Sequence, residues 1–237
     1  MKCYYDFHIH TALSPCGDED MTPNNIINMA LLKGLDAIAI TDHNSAKNVR
    51  ACVRCGERAG LVVVPGMEVE TSEEVHMVCL FPTVEKAEEM DEYVSENMPF
   101  VKNREDIFGV QNVIDTDDNV CGTVENLLST ASMLDIYSVE KKVRQLGGVC
   151  ICAHVDKSSY SVISNLGFIP SDLHFSTLEV KFPERLDILK KTYDFSMYKI
   201  IHNSDAHFLW DIHEKEYFID VPELSPLGIV NYLKDEK

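Results

Sequence analysis

Positive charge is what this chain of 237 residues has least of: 21 Lys+Arg stand against 39 Asp+Glu, a formal net charge of −18. That surplus of acid argues against a broad nucleic-acid surface or an anionic-membrane surface, since both need exposed Lys and Arg. It leaves room for a small phosphorylated substrate where bound cations reverse the sign locally. Long apolar runs are missing as well. None approaches the roughly 20 residues of a membrane helix, and the N-terminus reaches Asp6 with no signal-peptide apolar region. No repeat, low-complexity tract or Ser/Gly-rich linker divides the chain, so a single domain over residues 1–237 is expected. Neither a GxSxG elbow nor a GxxxxGK(S/T) loop is present, which argues against a serine nucleophile and nucleotide-driven work. The eight cysteines are scattered, several inside apolar runs such as Val149-Cys150-Ile151-Cys152. They read as small buried hydrophobes of a reduced, cytoplasmic chain rather than a disulfide framework. Cys52-x-x-Cys55 has no second pair and reads as incidental.

With 45% apolar residues the chain can bury a real core, and short β-branched or aromatic runs alternate with longer helical patterns. Cys3–Ile9, Leu35–Ile40, Leu61–Val64, His76–Phe81, Val149–Ala153, Thr177–Val180, Lys199–Ile201 and Tyr217–Val221 read as strands. Helices are expected from Thr22-Pro23 to Gly34, over Ala46–Ala59, and from Pro226 onward. Pro65-Gly66 reads as the close of the third strand. From Thr83 to Gly147 the pattern is mostly helical, with Val124, Leu127, Leu128, Ala131 and Leu134 at helical spacing, and this insertion is expected to cover one side of the functional face. Asp115–Asn119 lacks the glycine and distal glutamate of a calcium loop and reads as a solvated turn. The alternation predicts a parallel sheet closed into an α/β barrel, with an open doubly wound sheet as the alternative.

The polar exceptions fall at strand ends. His8 and His10, at i and i+2 on an extended segment, share one face. Other strands run into Asp42-His43, Glu68, His154, and Asp205-Ala206-His207. In parallel α/β folds the C-terminal strand ends share the face where binding and catalysis are built. Imidazole and carboxylate donors without thiolate suit catalytic Zn, Mn or Fe, and they outnumber what one ion can take. Two or three ions are expected, with a bridging carboxylate.

In this order, HIH, ITDHNS, PGMEVE, CAH and NSDAH resemble the polymerase and histidinol phosphatase (PHP) family of metal-dependent phosphoesterases, over Tyr4 to about Phe208. The resemblance implies a distorted (β/α)7 TIM-like barrel holding three divalent metal ions at its mouth. It places His8, His10 and Asp205 on the first metal, Glu68 as a bridge, His76 and His154 on the second, and His43 and His207 on the third. Asp18 is expected to complete the third from its interval to Thr22-Pro23, with Asp20 and Cys16 as fallbacks. His174, His202 and His213 are left as ordinary histidines. The reaction implied is hydrolysis of a small phosphate ester by a metal-bound hydroxide, coordination lowering the pKa of water from 15.7 to roughly 7. Asp42 is expected to orient His43 or carry a proton, and Lys157 and Asn44 are candidate substrate contacts. Two alternatives remain: a metal-dependent amidohydrolase, whose bridge is typically a carbamylated lysine, and a non-catalytic metal-binding module.

Overall fold

A computed structural model describes residues 1–235, and its element order follows the alternation of the sequence. The elements are β1 (Lys2–Ile9), α1 (Pro23–Leu32), β2 (Ala37–Ile40), α2 (Val49–Ala59), β3 (Val62–Glu70), β4 (His76–Leu80), α3 (Val84–Glu96), α4 (Glu105–Phe108) and β5 (Asn112–Ile114). They continue with β6 (Val120–Thr123), α5 (Ile136–Gln145), β7 (Val149–Cys152), α6 (Val162–Leu166), β8 (Thr177–Val180), α7 (Pro183–Leu189), β9 (Lys199–His202), β10 (Phe218–Asp220) and α8 (Pro226–Lys234). Eight strands form one curled sheet in the order β10-β1-β2-β3-β4-β7-β8-β9. An Ile9–Ala206 bridge joins the end of β1 to the segment that follows β9.

Side chains alternate across this sheet, as strand geometry requires. Ile38 and Ile40 of β2 join the layer packed by α1 and α2, whereas Ala37 and Ala39 face the inside of the curl with Phe7, Val64, Val78 and Ile151. Helix α8 adds Ile229, Val230 and Leu233 to that inner cluster. Thr177 at the start of β8 donates its hydroxyl to Leu233 O at 2.7 Å, so α8 plugs the end where the parallel strands begin. The opposite end is left for chemistry.

Three expectations need correction. The sheet is not uniformly parallel: β4 runs antiparallel to both β3 and β7, and β10 antiparallel to β1. Second, β3 does not stop at Pro65-Gly66 but runs through to Glu70. Pro65 tolerates the position because its carbonyl, not an N–H, makes the bond to Phe81 N at 2.8 Å. Gly66 is required by close approach: a Cβ there would meet Leu80 Cδ2 at 2.8 Å, Cys79 O at 2.9 Å and Ile40 O at 3.1 Å. Overpacking of this kind typically costs about 1–3 kcal/mol. Gly66→Ala is therefore expected to lower the Tm at roughly 2–4 °C per kcal/mol, as read by thermal unfolding.

Third, the insertion is only partly helical. Beyond α3 it carries the single turn of α4, a β5–β6 hairpin and an extended strap, and Val124–Leu134 is not a helix despite its helical spacing. Asp115 builds the hairpin turn by accepting from the N–H groups of Asp117 and Asn119, both at 2.9 Å. The strap is tied down by its own backbone: Ser132 N–H bonds Glu70 O at 2.9 Å, and Ser72 N–H bonds Leu134 O at 2.8 Å. Asn112 N–H bonds Ala12 O at 2.9 Å. The insertion thus lies along the loops that follow β1, β2 and β3.

Candidate metal centre

Backbone pairing brings the polar strand ends together before any side chain is considered. The segment after β2 continues its pairing with β3, through Glu68 N–H to Asp42 O at 3.0 Å and Asn44 N–H to Glu68 O at 2.8 Å. The segment after β9 pairs with β1 through His10 N–H to Ala206 O at 2.9 Å. His76 opens its apolar run rather than closing it because β4 is reversed, so the start of β4 lies on the face where the parallel strands end. Asn44, His154 and Asp205 stand at φ +48°, +31° and +53°. Non-glycine residues there cost about 1–3 kcal/mol each and cluster at functional sites.

Glu68 is the hub. Its Oε1 lies 2.9 Å from His76 Nδ1, 3.2 Å from His154 Nε2 and 3.4 Å from His8 Nε2. Its Oε2 lies 3.0 Å from His43 Nδ1 and 3.5 Å from His10 Nε2. Asp205 Oδ1 is 3.5 Å from His8 Nε2 and 3.4 Å from His10 Nε2. Three groups bring their ligand atoms within 4.8 Å of one another: His8, His10 and Glu68; His43, Glu68 and His76; and His10, His43 and His207.

The outer nitrogens are held so that the inner ones face the centre. His8 Nδ1 lies 3.0 Å from both oxygens of Glu179, which also accepts from the His154 N–H at 3.0 Å and from Asn203 Nδ2 at 2.7 Å. Ser14 Oγ donates to Asp42 Oδ1 at 2.7 Å and so accepts from His10 Nδ1 at 2.9 Å. His207 Nδ1 donates to Asp205 O at 2.9 Å. These partners place the protons on Nδ1 and leave the Nε2 lone pairs of His8, His10 and His207 inward, the arrangement of metal-ligating imidazoles.

Electrostatics ask for positive charge at the hub. Burial opposes the charge on Glu68, yet His76, His8 and His43 hold its carboxyl well below the usual range. Burial likewise opposes Asp205, and His8 and His10 hold it down. Against burial, Glu179, Glu68 and Asp205 keep His8 well above the ordinary histidine range, and Glu68 raises His43 and His76. Burial, with His207 and His43 nearby, pushes His10 down. The fit to cations is also geometric: His43 Nδ1 and Glu68 Oε2 are buried 3.0 Å apart yet neither has a hydrogen-bond partner, and His154 Nδ1 is also orphaned. Buried polar atoms left so are costly unless another group takes them up, and divalent ions suit this donor set.

Of the expected ligands, His8, His10, His43, Glu68, His76, His154, Asp205 and His207 are brought together. Asp18 is not: its carboxylate accepts from Asp20 N–H at 3.0 Å, and only its backbone N–H reaches the site, bonding His207 O at 2.9 Å. Cys16 takes the place beside His207 and His43. Desolvation pushes its thiol up, but the nearby His207 and His43 imidazoles bring it down to about 6, while the residue as a whole stays exposed. Asn44 is also corrected as a substrate contact. Its amide is consumed in structure, Nδ2 donating to Leu128 O at 2.8 Å and Thr130 O at 3.0 Å while Oδ1 accepts from Glu70 N–H at 2.9 Å. Asp42 sits behind the centre, bonded to Thr11 and Ser14. Lys157 Nζ reaches Asp205 Oδ2 at 3.3 Å, and Lys181 reaches the same oxygen at 3.0 Å. His202 stays outside, bonding Val180 O and lying against the Tyr217 ring; His213 lies against the same ring, and His174 lines a separate cavity of about 490 Å³ where β7 and β8 begin.

Sequence reading missed Glu179 and Lys181. The available signal for Glu179 was a lone carboxylate between Leu178 and Val180 in a four-residue apolar strand. Glu179→Gln is expected to weaken metal affinity about 10–100-fold, the usual effect of removing a carboxylate behind a ligating histidine. Metal titration of the folded variant checks this.

Among the relatives, 80 residues are 31% identical to a phosphoribosyl 1,2-cyclic phosphate 1,2-diphosphodiesterase of Eggerthella lenta, covering 32% of this chain and 29% of that protein. A stretch of 81 residues is 33% identical to the 5'-3' exoribonuclease Rnm of Salmonella typhimurium, covering 32% of this chain and 27% of that protein. The fold is similar to a lesion-specific endonuclease of Pyrococcus furiosus, with TM-score 0.70 and 18% identity over 99% of this chain and 56% of that one. It is similar too to Endonuclease Q in complex with a 27-mer duplex, with TM-score 0.71 and 17% identity over 100% and 58%. The chain therefore spans little more than half of those endonucleases, and the sequence matches cover under a third of the diphosphodiesterase and of the exoribonuclease. The expected partner, a small phosphorylated substrate with no nucleic-acid surface, is corrected by these relatives, which include a ribonuclease and a nuclease bound to duplex DNA. Net charge summed over a whole chain does not describe the field at one cation-binding centre. The PHP domain family model matches residues 6–164, more than half of the sequence, and the chain belongs to that family.

Proposed function

We propose that this chain is a metal-dependent hydrolase that cleaves phosphodiester bonds in nucleic acid. The observation that carries the reading is Glu68, whose two carboxylate oxygens are shared among five imidazoles within 3.5 Å. The relatives named as a phosphodiesterase and an exoribonuclease support the bond type and the substrate class.

In this reading the curled sheet is a distorted (β/α)7 barrel, and its mouth holds up to three divalent ions. His8, His10, Glu68 and Asp205 would hold one, Glu68, His76 and His154 a second, and Cys16, His43 and His207 a third. Ions held there supply Lewis-acid charge to phosphoryl oxygens and lower the pKa of bound water. The protein does the positioning. Asp42 acts through Ser14 to fix His10, and Glu179 fixes His8. Lys157 and Lys181, about a quarter exposed on the outer oxygen of Asp205, offer two ammonium groups to a substrate phosphate. The free thiols support a reducing, cytoplasmic setting. Among the described residues no helix is long and apolar enough to cross a membrane.

The test is cleavage of labelled single-stranded RNA, single-stranded DNA and lesion-bearing duplex DNA by the chain loaded with Mn, Zn or Fe. Metal-dependent cleavage of at least one is expected. Stoichiometric metal without cleavage of any would favour the non-catalytic module.

A further inference from the structure

Tyr160 stands at φ +57°, a left-handed backbone that is an outlier for a bulky side chain. The strain is not looseness of the loop. Lys157 N–H bonds His154 O at 2.8 Å, Ser161 Oγ bonds Lys157 O at 2.9 Å, and Ser161 caps α6 by accepting from Ser164 N–H at 3.0 Å. The Tyr160 carbonyl accepts from His76 N–H at 3.0 Å. The ring is thereby held 4.9 Å from the His76 ring at 30°, yet the residue stays 42% exposed. Three residues earlier in the same loop, Lys157 lays its ammonium on Asp205, where Lys181 lays its own. One short loop thus sets an open aromatic face beside one histidine of the centre and a cation beside its outer carboxylate. Stacking faces next to backbone-tracking cations are how proteins hold single-stranded nucleic acid.

We propose that Tyr160 is the platform on which the nucleobase adjoining the scissile phosphate stacks, so that it sets a preference for base-bearing over baseless strands. This rests on the nucleic-acid reading above, and it names a specificity residue for that site. Backbone strain persists where function demands a particular side chain in a particular place, and glycine is the residue that would relieve it.

The metal-loaded chain is to be given oligothymidylate and a baseless deoxyribose-phosphate strand of equal length, with binding read by fluorescence anisotropy and cleavage by gel. Wild type is expected to bind the base-bearing strand about 5- to 150-fold more tightly, the range for one base stacked on an aromatic ring. Tyr160→Ala and Tyr160→Gly are expected to abolish that preference, Tyr160→Trp to keep it, and Tyr160→Gly to hold or raise the Tm. An unchanged preference in Tyr160→Ala, no preference in wild type, or a lowered Tm in Tyr160→Gly overturns the platform. Cleavage with a Tyr160-independent preference overturns the platform alone. Tyr160-dependent binding without cleavage supports the platform and overturns the hydrolytic reading.

Discussion

Glu68→Gln is expected to lower kcat/KM on a phosphodiester by at least about 10³-fold, the equivalent of roughly 4 kcal/mol of lost metal-charge stabilisation. The reason is local. Oε1 faces His76, His154 and His8, while Oε2 faces His43 and His10. Glutamine keeps the shape but turns one of these acceptors into a donor aimed at imidazole lone pairs. No neighbour can take over Glu68's position, because Asp205 approaches His8 and His10 from its own side. Metal bound per chain is expected to fall with activity, measured by elemental analysis beside steady-state kinetics. Unchanged metal content with lost activity would move Glu68 from ligand to proton carrier.

Chelation is expected to produce the largest change in stability. One ion at about 1,000 times its Kd contributes roughly 4 kcal/mol, or about 8–16 °C at roughly 2–4 °C per kcal/mol. The gap between loaded and chelated protein is also expected to widen as pH rises from about 6 to about 8. In chelated protein the raised imidazoles His8, His43, His76 and His207 contribute stability fully present below the unfolded value of 6.5. That contribution is lost as pH climbs through their raised values. Glu68 and Asp205 are depressed, so theirs is present above 4.5 and 3.8 and is lost only in acid. Metals compete with protons for the same nitrogens, so the loaded form gains over the interval in which the chelated form weakens. Paired thermal melts with and without chelator read the gap. One that narrows with pH would contradict the assignment.

Much of the candidate site was legible because imidazole and carboxylate donors interrupt apolar strands. His8-Ile9-His10, His43, His154 and Asp205 each end a run whose burial is otherwise plain from composition. What was not legible depends on direction and packing. Nothing local announces that β4 is reversed, which is what makes His76 a rim residue. Pro65-Gly66 looks like a stop, yet the strand passes through because Leu80 and Ile40 crowd a position that only glycine fills. Leu127, Leu128 and Leu134 keep helical spacing while lying in an extended strap, because burial against the neighbouring loops sets their conformation. Asp18 and Cys16 sit two residues apart. The chain turns back on itself over Ser14–Gly17, with Gly17 N–H to Ser14 O at 2.9 Å, and leaves the Asp18 carboxylate accepting from Asp20 N–H. Whole-chain acidity argued against nucleic acid, yet a summed charge says little about the local field among a few buried imidazoles and carboxylates.

Strand-end imidazoles and carboxylates that cage divalent ions around Glu68 must hold those ions at fixed, visible positions. Anomalous diffraction from crystals of the metal-loaded chain, collected at the edge of the metal supplied, tests that cage directly. At least two peaks are expected within bonding distance of Glu68, one toward His8, His10 and Asp205 and one toward His76 and His154. A map with no anomalous density inside that ring of side chains would contradict the cage.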